Sequence, residues 1–403
     1  MSNKQRLVDI VNLNADASCL STKRWLKALK GGIRSELYGI LSLYIKADIK
    51  INLGIIGSTI AEIEELNPEC IKLINDHPEN FEILIRPFIH SLSILWSDDI
   101  FNFNYNLGKE YINKLFTNTI NWYLPPEFAL RNSQIYSLAN DGCSGTFIHP
   151  KRVKENTKGK IPDGLFNLKS IQNSMLPCIN FTENYDSYYL DQLQVFKSDY
   201  TFSEETIFGW RDGESPFILP NSVEREAVFV KNSSQGFDRV FLSEILSKRN
   251  TDESSFVYSY PQNSLLPWLG NFRLHWFIQE VKRLENAFGS LSMLKKKLFI
   301  NLLNSDILSS IEKTNVKIKL GKTNSKGNSI TPYLIVRKER NLDAEELLYL
   351  VLQCDDNMII DFLKTTDTPF LYRIKARLTA IDKHSLLTQK VGEINYTQKN
   401  NKS

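Results

Sequence analysis

Short apolar runs alternate with amphipathic ones along the first 150 residues, and this alternation limits the fold more than any other property of the chain. Arg6-Leu-Val-Asp-Ile-Val-Asn-Leu-Asn14 is β-branched and apolar and is followed by small and polar residues, Ala15 to Ser18, which predicts a buried strand with a loop at its carboxyl end. A helical stretch from Ser21 to Ile45, interrupted at Gly31-Gly32, leads to a second strand over Ile49–Ile56 that ends in Gly57-Ser58. Thr59–Leu66 and Pro68–Asn75 read as helix, Phe81–Ile85 as strand, Gly108–Phe116 as helix and Thr119–Leu124 as strand. Pro125-Pro126 opens a helix to Asn140, Gly142 stops it, and Gly145–Ile148 is a fifth short strand. Strands that alternate with helices form a parallel sheet covered by helices, because each crossover carries its helix onto an outer face.

Beyond residue 150 the rhythm changes. Residues 151–226, with aromatics around Tyr185 to Tyr189 and a Gly209-Trp-Arg-Asp-Gly-Glu214 turn, resemble the long loops that crown a barrel. Ala227–Val230 reads as a strand, Val240–Leu246 as a helix and Phe256–Ser259 as a strand. From Phe272 onward the pattern is mainly helical, apart from a hairpin pairing Val316–Leu320 with Pro332–Val336 across a polar turn. Gln389–Ser403 reads as a frayed tail.

Composition removes several function classes. With 42% hydrophobic and 24% charged residues, the chain is ordinary globular protein. A net charge of +3, with scattered Lys and Arg, lacks the footprint of a nucleic-acid binder. No apolar run approaches the roughly 18 residues of a membrane span, and Met1–Val11 has no signal-type core, so a cytoplasmic protein with no membrane partner is expected. The five cysteines, Cys19, Cys70, Cys143, Cys178 and Cys354, are odd in number and form no CxxC pair, which fits reduced thiols. The five histidines, His77, His90, His149, His275 and His384, contain no His-x-x-x-His pair, so neither a metal site nor a cofactor is expected.

The strongest chemical candidate is Asn121-Trp-Tyr-Leu-Pro-Pro-Glu127, a strand that runs into a proline-opened helix with a carboxylate in its first turn. At the carboxyl end of a barrel strand that carboxylate faces the mouth, and a helix N-terminus favours its ionised form, as a nucleophile requires. The plain alternative is a Glu that only complements the helix dipole.

Residues 82–142 then resemble a known family. Glu82-Ile-Leu-Ile-Arg-Pro-Phe-Ile-His90-Ser-Leu-Ser-Ile-Leu, a helix containing Gly108, Trp122-Tyr-Leu-Pro-Pro-Glu127 and Ala139-Asn-Asp-Gly142 are similar in order and spacing to glycoside hydrolase family 57. The resemblance implies an α/β fold: a parallel (β/α) barrel, seven-stranded and distorted, over residues 1–270, then a mainly helical region with a small hairpin over 271–390 and a tail over 391–403. It gives Glu127 the nucleophile's place and His90 that of a substrate-contacting histidine. Weaker echoes lie in Leu303-Asn-Ser-Asp306, where the family tends to carry a Ser-Asp pair lining the site, and in the aromatic segment Pro261 to Trp276. Two strings depart from it. The first strand ends in Asn12-Leu-Asn-Ala-Asp16 rather than a His-Gln-Pro string, and Lys231-Asn-Ser-Ser234 follows Ala227–Val230 where an Asp-Gly-Glu acid is expected.

Retaining glycosidases need two carboxyl groups about 5 to 5.5 Å apart, one to attack and one to protonate the leaving oxygen. Asp212 of the Arg-Asp-Gly-Glu loop and Asp238 are the candidate acids; alternatively, Asp212 only forms a turn before Gly213 and Asp238 only caps a helix near Arg239. His90 is either a substrate contact or a satisfied core histidine, and Asp16 either a mouth residue or a helix cap. Trp122 and Trp210 adjoin candidate carboxylates and can offer aromatic faces to sugar rings; Asp306 completes the substrate-binding candidates. The expected function is a retaining glycosidase or glycosyl-transferring enzyme acting on an α-glucan or related oligosaccharide or polysaccharide. A non-catalytic barrel that binds carbohydrate or a partner protein is the alternative, and a deacetylase-like hydrolase centred on Asp16 and His90 the third.

Overall fold

The computed structural model of the protein describes residues 5–16, 20–148, 164–170, 172–180, 206–218, 221–233, 237–246, 254–255, 272–306, 314–319, 322–323, 329–330, 333–338 and 342–386. Strands β1 (Gln5–Leu13), β2 (Ile51–Ile55), β3 (Phe81–Ile85), β4 (Thr119–Tyr123) and β5 (Gly145–Ile148) alternate with helices, as the apolar rhythm predicts. Those helices are α1 (Thr22–Leu29), α2 (Glu36–Lys46), α3 (Gly57–Leu66), α4 (Pro68–Asp76), α5 (Asp98–Leu115) and α6 (Asn132–Asn140). Serine hydroxyls start several of them: Ser21, Ser35 and Ser97 each accept from a backbone N–H in the first turn of α1, α2 and α5.

The segment read as loops contains three more strands, β6 (Gly164–Lys169), β7 (Met175–Asn180) and β8 (Thr206–Asp212). Pro177 and Gly209 hid the last two, since both residues are weak strand formers. Ala227–Val230 is not a strand but part of helix α7 (Ser222–Ser233). Its buried residues Ser222, Glu226, Phe229 and Val230 recur at helical spacing, and the apolar run that suggested a strand is one turn of that face. Strand β9 (Phe237–Arg239) follows, then α8 (Leu242–Leu246) and β10 (Ser254–Ser255). Phe256–Ser259 and Gln389–Ser403 lie outside the described residues.

In spatial order β8-β1-β2-β3-β4-β5-β7, seven strands run parallel; β6 is antiparallel to β7, and β10 pairs with β6. The sheet is strongly curled. Four strand spacings separate β8 from β4, about 19 Å in a flat sheet, yet the rings of Trp210 on β8 and Phe128 just past β4 meet at 5.0 Å. Side-chain alternation follows the curl. Val8 and Ile10 of β1, Leu84 of β3, Trp122 of β4, Phe147 of β5 and Phe208 and Trp210 of β8 fill the concave interior, while Leu7, Val11 and Leu13 face the helices. Val240, Leu242 and Ile245 close the lower end, where Leu242 N–H donates to Asn52 Oδ1 at 2.9 Å.

The C-terminal region is mainly helical: α9 (Phe272–Asn286), α10 (Met293–Leu302), α11 (Leu342–Gln353), α12 (Asp356–Thr365) and α13 (Pro369–Lys383). The expected hairpin is present as Thr314–Lys319 antiparallel to Tyr333–Lys338. Leu298, Leu302, Leu347, Ile374 and Ile381 join the same hydrophobic core as the helix-facing side of the sheet. Among the described residues no helix is long and apolar enough to cross a membrane.

Candidate active site

Strand direction decides which residues can meet at the mouth. Parallel strands bring their carboxyl ends to one edge: Asn12 of β1, Arg86 just past β3, Glu127 just past β4 and Asp212 of β8. Asn12 and Asp212 are register partners, and Asn12 Nδ2 lies 3.5 Å from Asp212 Oδ1. Asp212 continues the inward-facing series Phe208 and Trp210, so it tops the concave face. Asp212 thus ends a strand, with Gly213-Glu214 directly after it, rather than lying in a loop.

Glu127 does not sit in the first turn of an α-helix. Pro126–Phe128 is one 3₁₀ turn, and α6 starts only at Asn132, so the helix-dipole expectation does not apply. Both Glu127 and Phe128 have left-handed backbone, with φ of 52° and 53°. Such a conformation in a non-glycine residue costs about 1 to 3 kcal/mol and persists where its surroundings over-determine it. Pro125 and Pro126 fix the approach, and Phe128 is locked against Trp210.

Beneath these carboxylates lies Arg86. Its side chain is buried, Nη1 donates to the Leu124 carbonyl at 2.5 Å, and Nε and Nη2 make no hydrogen bond among the described residues. Gly54 packs beside it and leaves room for Leu124: a Cβ there would stand 2.6 Å from a Leu124 methyl. Burial draws the guanidinium down to about 10, against the opposing charges of Tyr123, Glu214, Glu127 and Asp212.

His90, Asp306 and Asp16 are held by protein partners. His90 Nδ1 is 2.9 Å from Ser305 Oγ, which itself donates to the His90 carbonyl at 3.0 Å. The Ser305 lone pair therefore accepts Nδ1–H and leaves Nε2 unprotonated. Burial, then the Arg86 charge, push the ring down to about 3, so it is neutral. Asp306 accepts from Asn14 Nδ2 at 2.8 Å, and the Asn14 N–H reaches Glu214 at 3.2 Å, so Asn14 ties the loop after β8 to the segment after α10. Asp16 receives both Oδ atoms' bonds from Arg377 Nη2, at 2.7 and 2.8 Å, and pairs with Arg373 at 2.6 Å. Burial raises its carboxyl, but the two arginines outweigh that and hold it below the usual carboxylate range. Both arginines also bind Glu62 of α3, a fully buried residue that accepts from Trp25 Nε1 at 2.7 Å.

The remaining candidates separate. Trp122 is in the barrel interior, packed on Gly145 and on Phe147 at 5.4 Å, below the mouth. Trp210 lies one inward position below Asp212. Asp238 is exposed on β9 and pairs in register with Arg6, at the amino end of β1, so the structure sets it at the end of the sheet opposite Asp212. Sequence reasoning missed Arg86, Asn12 and Asn14. The signal for Arg86 was a charged residue directly after the five-residue apolar strand Phe81–Ile85.

Residues 35–233 match the family model described as glycosyl hydrolase family 57. Among solved structures, the chain is similar to a 4-alpha-glucanotransferase from Thermococcus litoralis, with 12% identity and a TM-score of 0.55 over 82% of this chain and 63% of that one. It thus spans less than two thirds of that protein. An exo-type maltose-forming amylase from Pyrococcus sp. ST04 gives 12% identity and a TM-score of 0.57 over 96% and 75% of the two chains. A branching enzyme from Pyrococcus horikoshii gives 8% identity and 0.56 over 76% and 85%. At these identities the likeness is one of fold. No curated protein matches the sequence.

Proposed function

We propose that this chain, which is glycoside hydrolase family 57-like, is a retaining glycosidase or glycosyl-transferring enzyme acting on an α-glucan or a related oligosaccharide. The observation that carries this is the 5.0 Å contact between the Phe128 and Trp210 rings, which lie next to Glu127 and Asp212 on their strand ends, together with the action of both carboxylates on the buried Arg86 charge. Glu127 attacks the anomeric carbon, and the bond to the leaving oxygen breaks as Asp212 gives that oxygen its proton. Asp212, now a carboxylate, takes a proton from water or from an acceptor sugar hydroxyl, whose oxygen displaces Glu127. Water gives hydrolysis; a sugar hydroxyl gives transfer.

His90, Asp306 and Asn14 form the polar wall beside the pair, with neutral His90 offering an acceptor Nε2. Residues 1–270 are the catalytic-type barrel and 271–390 the helical region that buttresses it. A cytoplasmic setting agrees with Cys70, Cys143, Cys178 and Cys354, which are buried free thiols.

The test compares an activated aryl glycoside with a natural oligosaccharide. Asp212→Ala is expected to keep turnover of the aryl glycoside, whose leaving group needs no proton, and to lose the oligosaccharide by about 10²- to 10⁴-fold. Glu127→Ala is expected to lose both. Wild-type protein that binds oligosaccharide yet releases no product from either substrate would favour a non-catalytic carbohydrate-binding barrel instead.

A further inference from the structure

Arg86 stands out among the buried charges. Arg211, Arg373 and Arg377 are each paired with buried carboxylates at hydrogen-bond or ion-pair distance. Among the described residues Arg86 has one hydrogen bond, to the Leu124 carbonyl, and two buried donor groups, Nε and Nη2, that find no partner. A buried, under-bonded guanidinium is costly, so a compensating interaction must hold it in place. Among the described residues, the charged and titratable groups that act on it or feel its charge are Tyr123 of β4, Glu127 past β4, Asp212 and Glu214 around the end of β8, and His90 past β3. His90 is neutral, so Arg86 is the cation within a group of carboxylates that would otherwise oppose one another's ionisation.

We propose that Arg86 is a positioning residue for the Glu127–Asp212 pair: its hydrogen bond to Leu124 anchors the Leu124-Pro-Pro-Glu127 turn, and its charge keeps Glu127 ionised beside Asp212 and Glu214. The inference rests on the roles assigned above to Glu127 and Asp212. Its consequence in the reaction is sequential. In the free enzyme the guanidinium favours the attacking carboxylate. Once Glu127 is esterified to the sugar and carries no charge, the same guanidinium acts on Asp212 and favours the carboxylate form that the second step needs. One fixed cation thereby serves both half-reactions without moving, as preorganised electrostatics requires.

The test reads Glu127 directly. Full-length protein carrying ¹³C-carboxyl glutamate is titrated by NMR, with the Glu127 signal assigned from Glu127→Gln. In Arg86→Gln, which keeps a donor for the Leu124 carbonyl but no charge, the Glu127 midpoint is expected to rise by about 1 to 3 pH units. Arg86→Lys is expected to restore most of the shift. Arg86→Met, of similar length and uncharged, serves as the second neutral variant if Arg86→Gln does not fold. An unmoved midpoint in a folded neutral variant overturns the proposal. The acidic limb of the pH profile for aryl glycoside turnover is expected to follow the midpoint. If the midpoint moves but wild-type protein cleaves no glycoside, the electrostatic role stands and the enzymatic one fails.

Discussion

The rings of Phe128 and Trp210 meet at 5.0 Å, one residue after Glu127 and two before Asp212. That contact spans the concavity of the sheet, between the strand ends that carry the two carboxylates. Trp210→Ala is therefore expected to do more than open a hole in the interior. Large-to-small changes of this kind cost about 3 to 5 kcal/mol, and turnover of aryl glycoside should fall further than the folded fraction does. Chemical denaturation and turnover measured on the same samples separate the two effects. Activity that merely tracks the folded fraction would show that the contact does not hold the pair.

Asp238→Asn is expected to leave stability and turnover within experimental error, because the exposed side chain lies at the amino end of β1. A selective loss of oligosaccharide turnover in this variant would return Asp238 to the acid's place.

His90 makes acid stability predictable in sign. Its folded value, about 3, lies below the unfolded value of about 6.5. Between those values the unfolded chain binds a proton that the folded protein refuses, so stability falls as pH drops below about 6.5 and this contribution levels off below about 3. At pH 5 the loss from this group is about 2 kcal/mol relative to pH 7. Unfolding curves at the two pH values should show that difference shrinking by about as much in His90→Gln. An equal pH dependence in both proteins would mean that the ring is not buried as a neutral group.

Gly108 lies on α5 where the helix crosses the backbone after β3. A Cβ there would stand 2.2 Å from the Arg86 carbonyl oxygen and 2.5 Å from the Pro87 carbonyl carbon. Backbone cannot yield as a side-chain tip can, so Gly108→Ala is expected to cost at least the roughly 1 to 3 kcal/mol of ordinary overpacking. Thermal unfolding reads this directly. An unchanged midpoint would show that α5 stands further from this segment.

Arg377→Met leaves Asp16 and Glu62 buried without one of their two cations. Breaking a buried pair from one side costs about 3 to 5 kcal/mol. Adding Asp16→Asn should recover part of the loss, and the double-mutant cycle measures how much. A strictly additive result would mean that the two side chains do not interact.

The barrel half was legible because its strands are short apolar runs bounded by Gly, Pro and charged residues. The apolar runs Phe81–Ile85 and Gly145–Ile148 coincide with the strands themselves. Strands β7 and β8 were missed because Pro177, Gly209 and Arg211 look like loop residues. Only the structure shows that Arg211 faces outward into a buried partnership with Tyr44 and Glu226. Ala227–Val230 reads as a strand because four residues, three of them β-branched or aromatic, do not distinguish one helical turn from a short strand. Glu127 is a candidate through the order of motifs. Its left-handed backbone, and the cation beneath it, depend on contacts between residues more than 30 positions apart, which no local pattern encodes.

The ion-pair cluster of Arg373 and Arg377 with Asp16 and Glu62 also joins the two extremes of the chain in time. Synthesis runs from the amino end, so Asp16 and Glu62 leave the ribosome more than 300 residues before the cations that neutralise them. A nascent chain ending before residue 369 carries two carboxylates that its own core cannot bury at neutral pH, and is expected to stay open to protease around β1 and α3. Ribosome-bound chains of increasing length, probed by limited proteolysis, should gain protection in that region only after α13 has emerged. Earlier protection would mean that the first strands close without their distant counter-charges.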